Sequence, residues 1–373
     1  MKTIKFFVMA FAAVLMTANF AACSKDDNNG SGSEQQKSNF ERYMSAVVNE
    51  VQSTKAASGN NKAILLVAFG STWENAHDTF KKVVEDYQTD EQFKGYDVYF
   101  SFTSAICINR SRGTNGQGEH YASQNFYSPN FWLEAIGRQK YEEVRVQSLH
   151  IIPGEEFLRL RDTYIKDFKN NVYADLDEKY LEEGVKIFIG GPLMAEEDDV
   201  QDVANVLDAQ FNQYVQDGNG MVFLGHGNPA EYNYGNGNVR YTQLEARLRE
   251  KNPNYFVATV DMEKNLLEDL WNDRMAPDGN KVIATGKTIT LHALMSIAGD
   301  HAHNDMSGIE NEGDSWREFF QQQGYTCNYD GNDGNAGNNC ILNGLGDYAE
   351  IRKIWKQHTL DANEMFAEEE EEE

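Results

Sequence analysis

The sequence predicts an α/β protein built from two similar doubly wound lobes, in which helices flank parallel sheets. Short apolar runs alternate along the chain with segments of helical periodicity, which is typical of βαβ units. The segments 63–70 and 220–227 share one layout, a strand ending in a glycine turn that leads towards a helix. The chain has 373 residues, whereas single cores stop growing near about 250–300 residues. We therefore expect two lobes with a ligand cleft between them, at the carboxyl ends of the strands.

The individual elements follow from periodicity and from Gly and Pro punctuation. Seven apolar runs are predicted to be strands, at 63–69, 98–102, 144–149, 185–189, 221–224, 256–260 and 289–297. Six segments with apolar residues at intervals of three and four are predicted to be helices, at 79–87, 176–183, 200–215, 241–250, 264–273 and 315–323. The expected organisation is a signal peptide at 1–22, a flexible tether at 23–40, an N-terminal lobe at 41–190, a C-terminal lobe at 191–360 and an acidic tail at 361–373.

The N-terminus has the composition of an export signal. Lys2 and Lys5 precede an apolar run at 6–20, which ends in small residues before Cys23. The run is shorter than the about 20 residues that span a bilayer. Its end resembles a bacterial lipobox, and the acidic stretch that follows resembles the surface-export signal of Bacteroidetes lipoproteins. We expect an exported protein, lipid-anchored at Cys23 to the outer membrane or the periplasmic face; exposure at the cell surface stays open, and a plain secretory peptide is the alternative.

Charge and cysteine content narrow the function classes. The chain carries 33 Lys and Arg against 59 Asp and Glu, a formal charge of −26, and so lacks the cationic face that non-specific nucleic-acid binding requires. An anionic ligand must therefore meet a local basic pocket. An oxidising compartment favours disulfides, so we predict that Cys327 and Cys340 pair and that Cys107 is a buried free thiol.

Two segments at predicted strand ends carry histidines. His226 lies between two glycines directly after a strand, where the turn leaves the imidazole open to a ligand. His301 and His303 follow another strand, beside Asp300 and Asp305. These carboxylates can orient imidazoles or cap the following helix. A purely structural turn is the alternative for His226.

A carboxylate, Asp261, follows a third predicted strand. It lies 35 residues after His226 and 40 residues before His301, one βα unit each. Two imidazoles and one carboxylate with open positions suit a divalent ion such as Co, Fe, Ni or Zn. The sequence therefore predicts a metal site formed by His226, Asp261 and His301.

Seven short stretches, in order from about residue 60 to 360, carry a family resemblance. They are 67–72, 102–104, 149–156, 225–227, 259–261, 298–306 and 344–346. Together they resemble the anaerobic cobaltochelatases of the CbiK type, which are class II tetrapyrrole chelatases. His226 and His301 match the two active-site histidines of that family. Asp261 stands where the family has a longer Glu, and His303 stands where the family usually has no histidine.

The resemblance implies a two-lobed fold that inserts a divalent metal into a metal-free tetrapyrrole such as sirohydrochlorin, in cobalamin-type biosynthesis. Co²⁺ is the expected metal substrate, with Fe²⁺ and Ni²⁺ as alternatives. We assign His226 as the leading base and ligand, His301 as ligand and Asp261 as supporting ligand. The rival interpretation is a haem- or corrinoid-binding lipoprotein for nutrient capture, with or without metal removal. Whether the chain forms a homo-oligomer stays open.

Further residues at strand ends of the first lobe are candidates for the tetrapyrrole pocket. Four hydroxyl side chains are expected to line it, those of Ser71, Thr72, Thr103 and Ser104. Arg110 and Arg112 are candidates to receive the carboxylates of the macrocycle, because a guanidinium binds a carboxylate in bidentate fashion. An ordinary solvated loop is the alternative for both arginines.

Overall fold

The protein contains two separate β-sheets flanked by helices. The computed structural model describes residues 38–111, 125–172, 175–309, 313–332, 335 and 337–367. The strands are β1 Lys62–Ala68, β2 Tyr96–Phe102, β3 Glu143–Ser148, β4 Lys186–Gly190, β5 Gly220–Gly225, β6 Tyr255–Thr259, β7 Ile289–Leu294, β8 Cys340–Ile341 and β9 Asn363–Glu364.

Most helices lie between consecutive strands. They are α1 Asn39–Ser58, α2 Glu74–Thr89, α3 Ala105–Ser111, α4 Pro129–Arg138, α5 Glu155–Arg159, α6 Lys166–Lys169, α7 Glu197–Phe211, α8 Val239–Lys251, α9 Leu267–Asp269, α10 Trp316–Gln322 and α11 Ala349–Asp361. Four segments are π-helical, Leu160–Ile165, Tyr180–Gly184, Leu270–Met275 and Ala302–Met306. In the described part of the chain, no helix combines the length and apolar character that a membrane span requires.

The two sheets share one arrangement around their central strands. The first has the order β2-β1-β3-β4-β9, and the second has the order β6-β5-β7-β8. All pairs are parallel except β9 with β4. In each sheet the next strand in the chain pairs with one edge of the central strand, β1 or β5, and the strand after it pairs with the other edge. Such a reversal opens a crevice at the carboxyl ends of the strands.

Strands β1, β5 and β6 are mostly apolar on both faces because helices cover both sides of each sheet. In β1, Ile64, Leu66 and Ala68 contribute to one hydrophobic cluster, whereas alternate residues contribute to another on the opposite face. Every residue of β5, β6 and β7 is buried. This continuous apolar character made the strands recognisable, and each of the seven predicted strands occurs within about three residues of its expected ends. The predicted fold class is confirmed.

The ends of the described chain differ from the expected organisation. The predicted tether at 23–40 overlaps α1, because Ser38 and Glu41 form a capping box that starts the helix at Asn39. The predicted tail at 361–373 begins with β9, which pairs antiparallel with β4. Helix α11, expected in the C-terminal lobe, packs against β3 and β4 of the first sheet. The predicted signal peptide, Cys23, Arg112 and the Glu run at 368–373 lie outside the described residues.

The three cysteines in the described part of the chain, Cys107, Cys327 and Cys340, are free thiols. Cys327 and Cys340 are buried next to each other, and burial followed by the neighbouring Cys340 raises the pKa of the Cys327 thiol. The predicted disulfide is therefore not formed here, although the two side chains are in contact. Cys107 is free but only partly buried, whereas complete burial was expected.

Helix α11 is held to the region between the two sheets by His358. Its Nε2 lies 3.1 Å from Asp199 Oδ1, and its Nδ1 lies 3.3 Å from the carbonyl oxygen of Gly191. A ring whose two nitrogens face acceptors donates from both when protonated. Burial lowers the pKa of His358, but the hydrogen bond and charge of Asp199 outweigh it, and the net shift is upward.

A raised histidine pKa predicts a pH-dependent contribution to stability. The contribution of His358 is complete below the ordinary pKa of about 6.5 and is lost as the pH rises through the raised value. We expect His358→Gln to lower the free energy of unfolding by about 2 kcal/mol at pH 6 and by less than half of that at pH 9. Urea unfolding at both pH values measures the difference, and an equal loss at pH 6 and pH 9 would contradict the prediction.

Candidate active site

The segments that follow the strands of the two sheets meet along one seam. The hydroxyl of Ser296, after β7, donates to the carbonyl oxygen of Leu149, after β3, at 2.5 Å. Gly237 lies so close to Pro153 that an added Cβ would be 2.8 Å from its carbonyl oxygen. We call the space between these facing segments the inter-sheet cleft. It contains the exposed parts of His226, Asp261 and His301.

Two glycines fix the position of His226 at the end of β5. A Cβ on Gly225 would lie 2.5 Å from the Tyr241 ring, so only glycine fits there. Gly227 has φ of +76°, and a Cβ there would lie 2.7 Å from that of Met262. The imidazole between them keeps 48% of its side-chain surface exposed. Packing therefore dictates the glycine pattern that the sequence shows around this ring.

The tautomer of His226 follows from its hydrogen bond. Its Nδ1 lies 2.7 Å from the carbonyl oxygen of Gly227. A carbonyl only accepts, so Nδ1 carries the proton and the neutral ring has its lone pair on Nε2. Desolvation by the surrounding residues, followed by the charge of the neighbouring His301, lowers the pKa of His226. The ring is therefore ready to bind a cation or accept a proton at neutral pH.

A hydrogen bond also holds the Nδ1 atom of His301, but the pKa of this ring is raised, whereas the pKa of His226 is lowered. It directly precedes the π-helical turn Ala302–Met306, and its Nδ1 lies 2.5 Å from Oδ2 of Asp305. Burial lowers the pKa of His301, but the hydrogen bond and charge of Asp305, with Asp300 and Asp261, outweigh burial and raise it. As in His226, Nε2 is the nitrogen left for a metal. A bound cation replaces the proton on that atom.

The structure brings the three predicted metal ligands together. The rings of His226 and His301 lie 4.9 Å apart between centroids, at 79°. Asp261 is tied to this pair because its amide donates to the carbonyl oxygen of His226 at 3.0 Å. Its carboxylate oxygen lies 3.7 Å from Nδ1 of His226, on the side away from Nε2. Among the described residues, no three His, Cys, Asp or Glu side chains form a ready-made metal site. The three-residue ligand set therefore stays a prediction.

A carboxylate of the first lobe that sequence reasoning passed over, Glu156, also faces this site. It is the second residue of α5, after β3, accepts a hydrogen bond from Thr103 Oγ1 at 2.7 Å, and is 24% exposed. Its charge opposes the lowering of the His226 pKa. The two segments approach each other, because a Cβ on Gly154 would strike the side chain of Asn228, two residues after His226. The sequence did contain a signal for Glu156, because this carboxylate lies shortly after a predicted strand, within the family-like stretch 149–156.

The hydroxyls predicted to line a pocket have other partners. Ser71 Oγ accepts from the Trp73 amide, and Ser104 Oγ accepts from the Cys107 amide at the start of α3. Both serines are buried in the structure, and their role as pocket-lining residues stays a prediction. Thr103 is buried and supports Glu156 instead. Thr72 is half-buried, and Arg110 is exposed on α3 near the cleft, where its charge reaches Cys107.

Comparisons with known proteins agree with this geometry. The family described as Cobalt chelatase (CbiK) matches residues 62–364. The chain belongs to this family of metal chelatases. A sirohydrochlorin cobaltochelatase, CbiKC, of Nitratidesulfovibrio vulgaris is 27% identical over 300 residues, covering 80% of this chain and 89% of the relative. The sirohydrochlorin cobaltochelatase of Salmonella typhimurium is 27% identical over 312 residues, covering 83% and 98%.

Solved structures also match most of the chain. The structure of SirB from Bacillus subtilis with Fe³⁺ aligns with 80% of this chain and 94% of SirB, at 15% sequence identity and a TM-score of 0.47.

The glycine after His226 gives a test of the site geometry. Gly227 and Gly59, which ends α1, have nearly equal positive φ, +76° and +73°, but only Gly227 has neighbours that a Cβ would strike. We expect Gly59→Ala to cost about 1 kcal/mol of unfolding free energy and to leave Co²⁺ affinity unchanged. Gly227→Ala should cost more and weaken Co²⁺ binding by at least about 10-fold. Urea unfolding and Co²⁺ titration measure both, and equal Co²⁺ affinities in the two variants would contradict the assignment.

Proposed function

We propose that this protein inserts Co²⁺ into a metal-free tetrapyrrole, with sirohydrochlorin as the substrate. The observation that carries the proposal is the pair of facing imidazoles, each with Nδ1 anchored and Nε2 left for a ligand, in a member of the cobalt chelatase family. The names of the two curated relatives support sirohydrochlorin and cobalt. The nutrient-capture alternative is not favoured, because these relatives are chelatases. Fe²⁺ and Ni²⁺ stay open as alternative ions.

The first step is capture of the ion. Imidazole nitrogen suits Co²⁺, and Nε2 of His226 and of His301 supply two such ligands on the second lobe. Asp261 and Asp305 place negative charge beside the rings, which offsets part of the charge of the incoming cation. With only two or three protein ligands, the ion keeps exchangeable positions. Such a site holds the ion long enough to present it without retaining it.

The second step removes two protons from the pyrrole nitrogens as the ion enters the macrocycle. Each proton needs an acceptor near its own face of the ring. Once the ion leaves His226, the lone pair on Nε2 can accept one proton, and the lowered pKa keeps this ring neutral beforehand. The carboxylate of Glu156, held by Thr103 in the first lobe, is the acceptor on the opposite side. Arg110, exposed on α3, is the proposed partner for carboxylates of the macrocycle.

Insertion of the metal gives the direct test. We expect the full-length protein to accelerate formation of cobalt-sirohydrochlorin from Co²⁺ and metal-free sirohydrochlorin, followed by the change in visible absorption. His226→Ala should lower kcat/KM by at least about 100-fold, because it removes both a ligand and a base. His358→Gln is the matched control, because the ring of His358 contacts Asp199 and Gly191 and none of the proposed metal ligands. A His226→Ala protein that inserts Co²⁺ at the parent rate would show that the site is misassigned.

We also propose that the protein is exported and lipid-anchored through Cys23. The charged, apolar and small-residue order of the first 23 residues supports this. Cells expressing the parent chain and a Cys23→Ala variant, labelled with a palmitate analogue, test it: label should enter only the parent, in the membrane fraction. Equal labelling of both proteins, or of neither, would overturn the proposal.

A further inference from the structure

The turn that carries His301 is held by the first lobe through His303. The His303 ring stacks on the Trp73 indole, with centroids 3.7 Å apart and planes 10° apart. Its Nε2 lies 3.2 Å from Asn75 Nδ2, and its Nδ1 lies 2.8 Å from the carbonyl oxygen of Gly299. Both rings are almost fully buried. We call the contact of Trp73, Asn75 and His303 the cross-lobe clamp.

The hydrogen bonds of His303 exclude it as a metal ligand in this arrangement. The carbonyl of Gly299 accepts, so Nδ1 of His303 donates, and Nε2 accepts from the amide of Asn75. Both ring nitrogens are thus occupied by protein. His303 is therefore not a third imidazole of the metal site, although it lies only two residues from His301.

Each half of the clamp is anchored in its own lobe. On the first lobe, the Trp73 amide donates to Ser71 Oγ at 3.1 Å, and Asn75 Oδ1 accepts from the Ala76 amide within α2 at 2.9 Å. On the second lobe, the Ser307 hydroxyl donates to the carbonyl oxygen of His303 at 2.6 Å. The clamp therefore joins two supported segments.

The His301 turn needs such support. It is a short helical segment that follows a loop, in which Asp300 and His301 are α-helical and Ala302–Met306 form one π-helical turn. Asp305, which orients the His301 ring, lies in the same turn. A displacement of this turn would move His301 relative to His226, which is fixed independently by β5 and its glycines. Alignment of the two Nε2 atoms therefore depends on what holds the turn.

We propose that the cross-lobe clamp positions His301 for metal capture and couples that position to the first lobe. This inference rests on the proposed function, because it assigns a role to a metal ligand of the same site. Trp73, Asn75 and His303 are positioning residues, since they contact the His301 turn and not the proposed position of the ion. Indole–imidazole stacking holds the two flat rings in nearly parallel planes, and the amide hydrogen bond fixes the rotation of the imidazole within its own plane.

Titration of Co²⁺ into the metal-free full-length protein, followed by the d–d absorption bands, tests the clamp without the insertion reaction. Trp73→Ala should weaken Co²⁺ binding by about 10-fold and alter the d–d spectrum, since it releases the support of a metal ligand. Trp73→Phe keeps an aromatic ring and should restore affinity to within about twofold of the parent. Asn75→Ala, at an exposed position that tolerates substitution, should weaken binding by about threefold.

Trp271→Ala is the matched control for general loss of packing. Trp271 packs against Phe319 and Tyr325 within the second lobe, so its removal should destabilise that lobe but leave Co²⁺ affinity within about twofold of the parent. If Trp73→Ala and Trp271→Ala weaken Co²⁺ binding equally, the proposed role of the cross-lobe clamp is wrong. If Trp73→Ala fails to fold, parent-like Co²⁺ affinity in Asn75→Ala overturns it instead.

The two proposals fail in different ways. A parent protein that binds Co²⁺ but never inserts it into sirohydrochlorin would refute the proposed function. In that case, weaker Co²⁺ binding in Trp73→Ala and near-parent Co²⁺ binding in Trp73→Phe would still support the proposed role of the cross-lobe clamp. A parent that inserts Co²⁺, with unchanged Co²⁺ affinity in all clamp variants, would refute the clamp alone.

Discussion

The chemistry of this protein depends on two hydrogen bonds, each made by the Nδ1 atom of a cleft histidine. In His226 the acceptor is the backbone carbonyl of the next residue, and in His301 it is the Asp305 carboxylate. Both hydrogen bonds place a proton on Nδ1 and leave the Nε2 atom for a ligand. Burial, followed by the neighbouring His301, lowers the pKa of His226, whereas in His301 the hydrogen bond and charge of Asp305 outweigh burial and raise the pKa. Two identical side chains thereby acquire different proton affinities within one site.

The fold makes this pairing possible by facing the carboxyl ends of two parallel sheets towards each other. Each lobe supplies a different kind of group: the second sheet presents imidazoles, and the first presents Glu156. A flat macrocycle held between them would meet a metal on one face and a carboxylate on the other. The C-terminal helix α11 and strand β9 return to the first sheet, so the chain ends by joining the lobe in which it began.

The sequence predicted what depends on local pattern and missed what depends on packing between distant segments. The first seven strands are apolar or alternating runs of five to seven residues, so all seven were found, and the glycines around His226 pointed to an open turn. Strands β8 and β9 were missed because each has only two residues and leaves no apolar run. The pocket-lining role of Ser71 stays a prediction, and its hydroxyl also accepts a hydrogen bond from the Trp73 amide of its own turn. The stack of His303 on Trp73 joins residues from different lobes, which no local pattern reveals.

Two crystal structures, one of the protein with Co²⁺ alone and one with metal-free sirohydrochlorin alone, test the central claim most directly, because the two substrates together would react. We expect Co²⁺ bonded to Nε2 of both His226 and His301 at about 2.1 Å, a normal metal–imidazole distance, and the macrocycle in the inter-sheet cleft. Their Nδ1 atoms should keep their bonds to the Gly227 carbonyl and Asp305. Co²⁺ bound through an Nδ1 atom, or a macrocycle held away from both histidines, would contradict it.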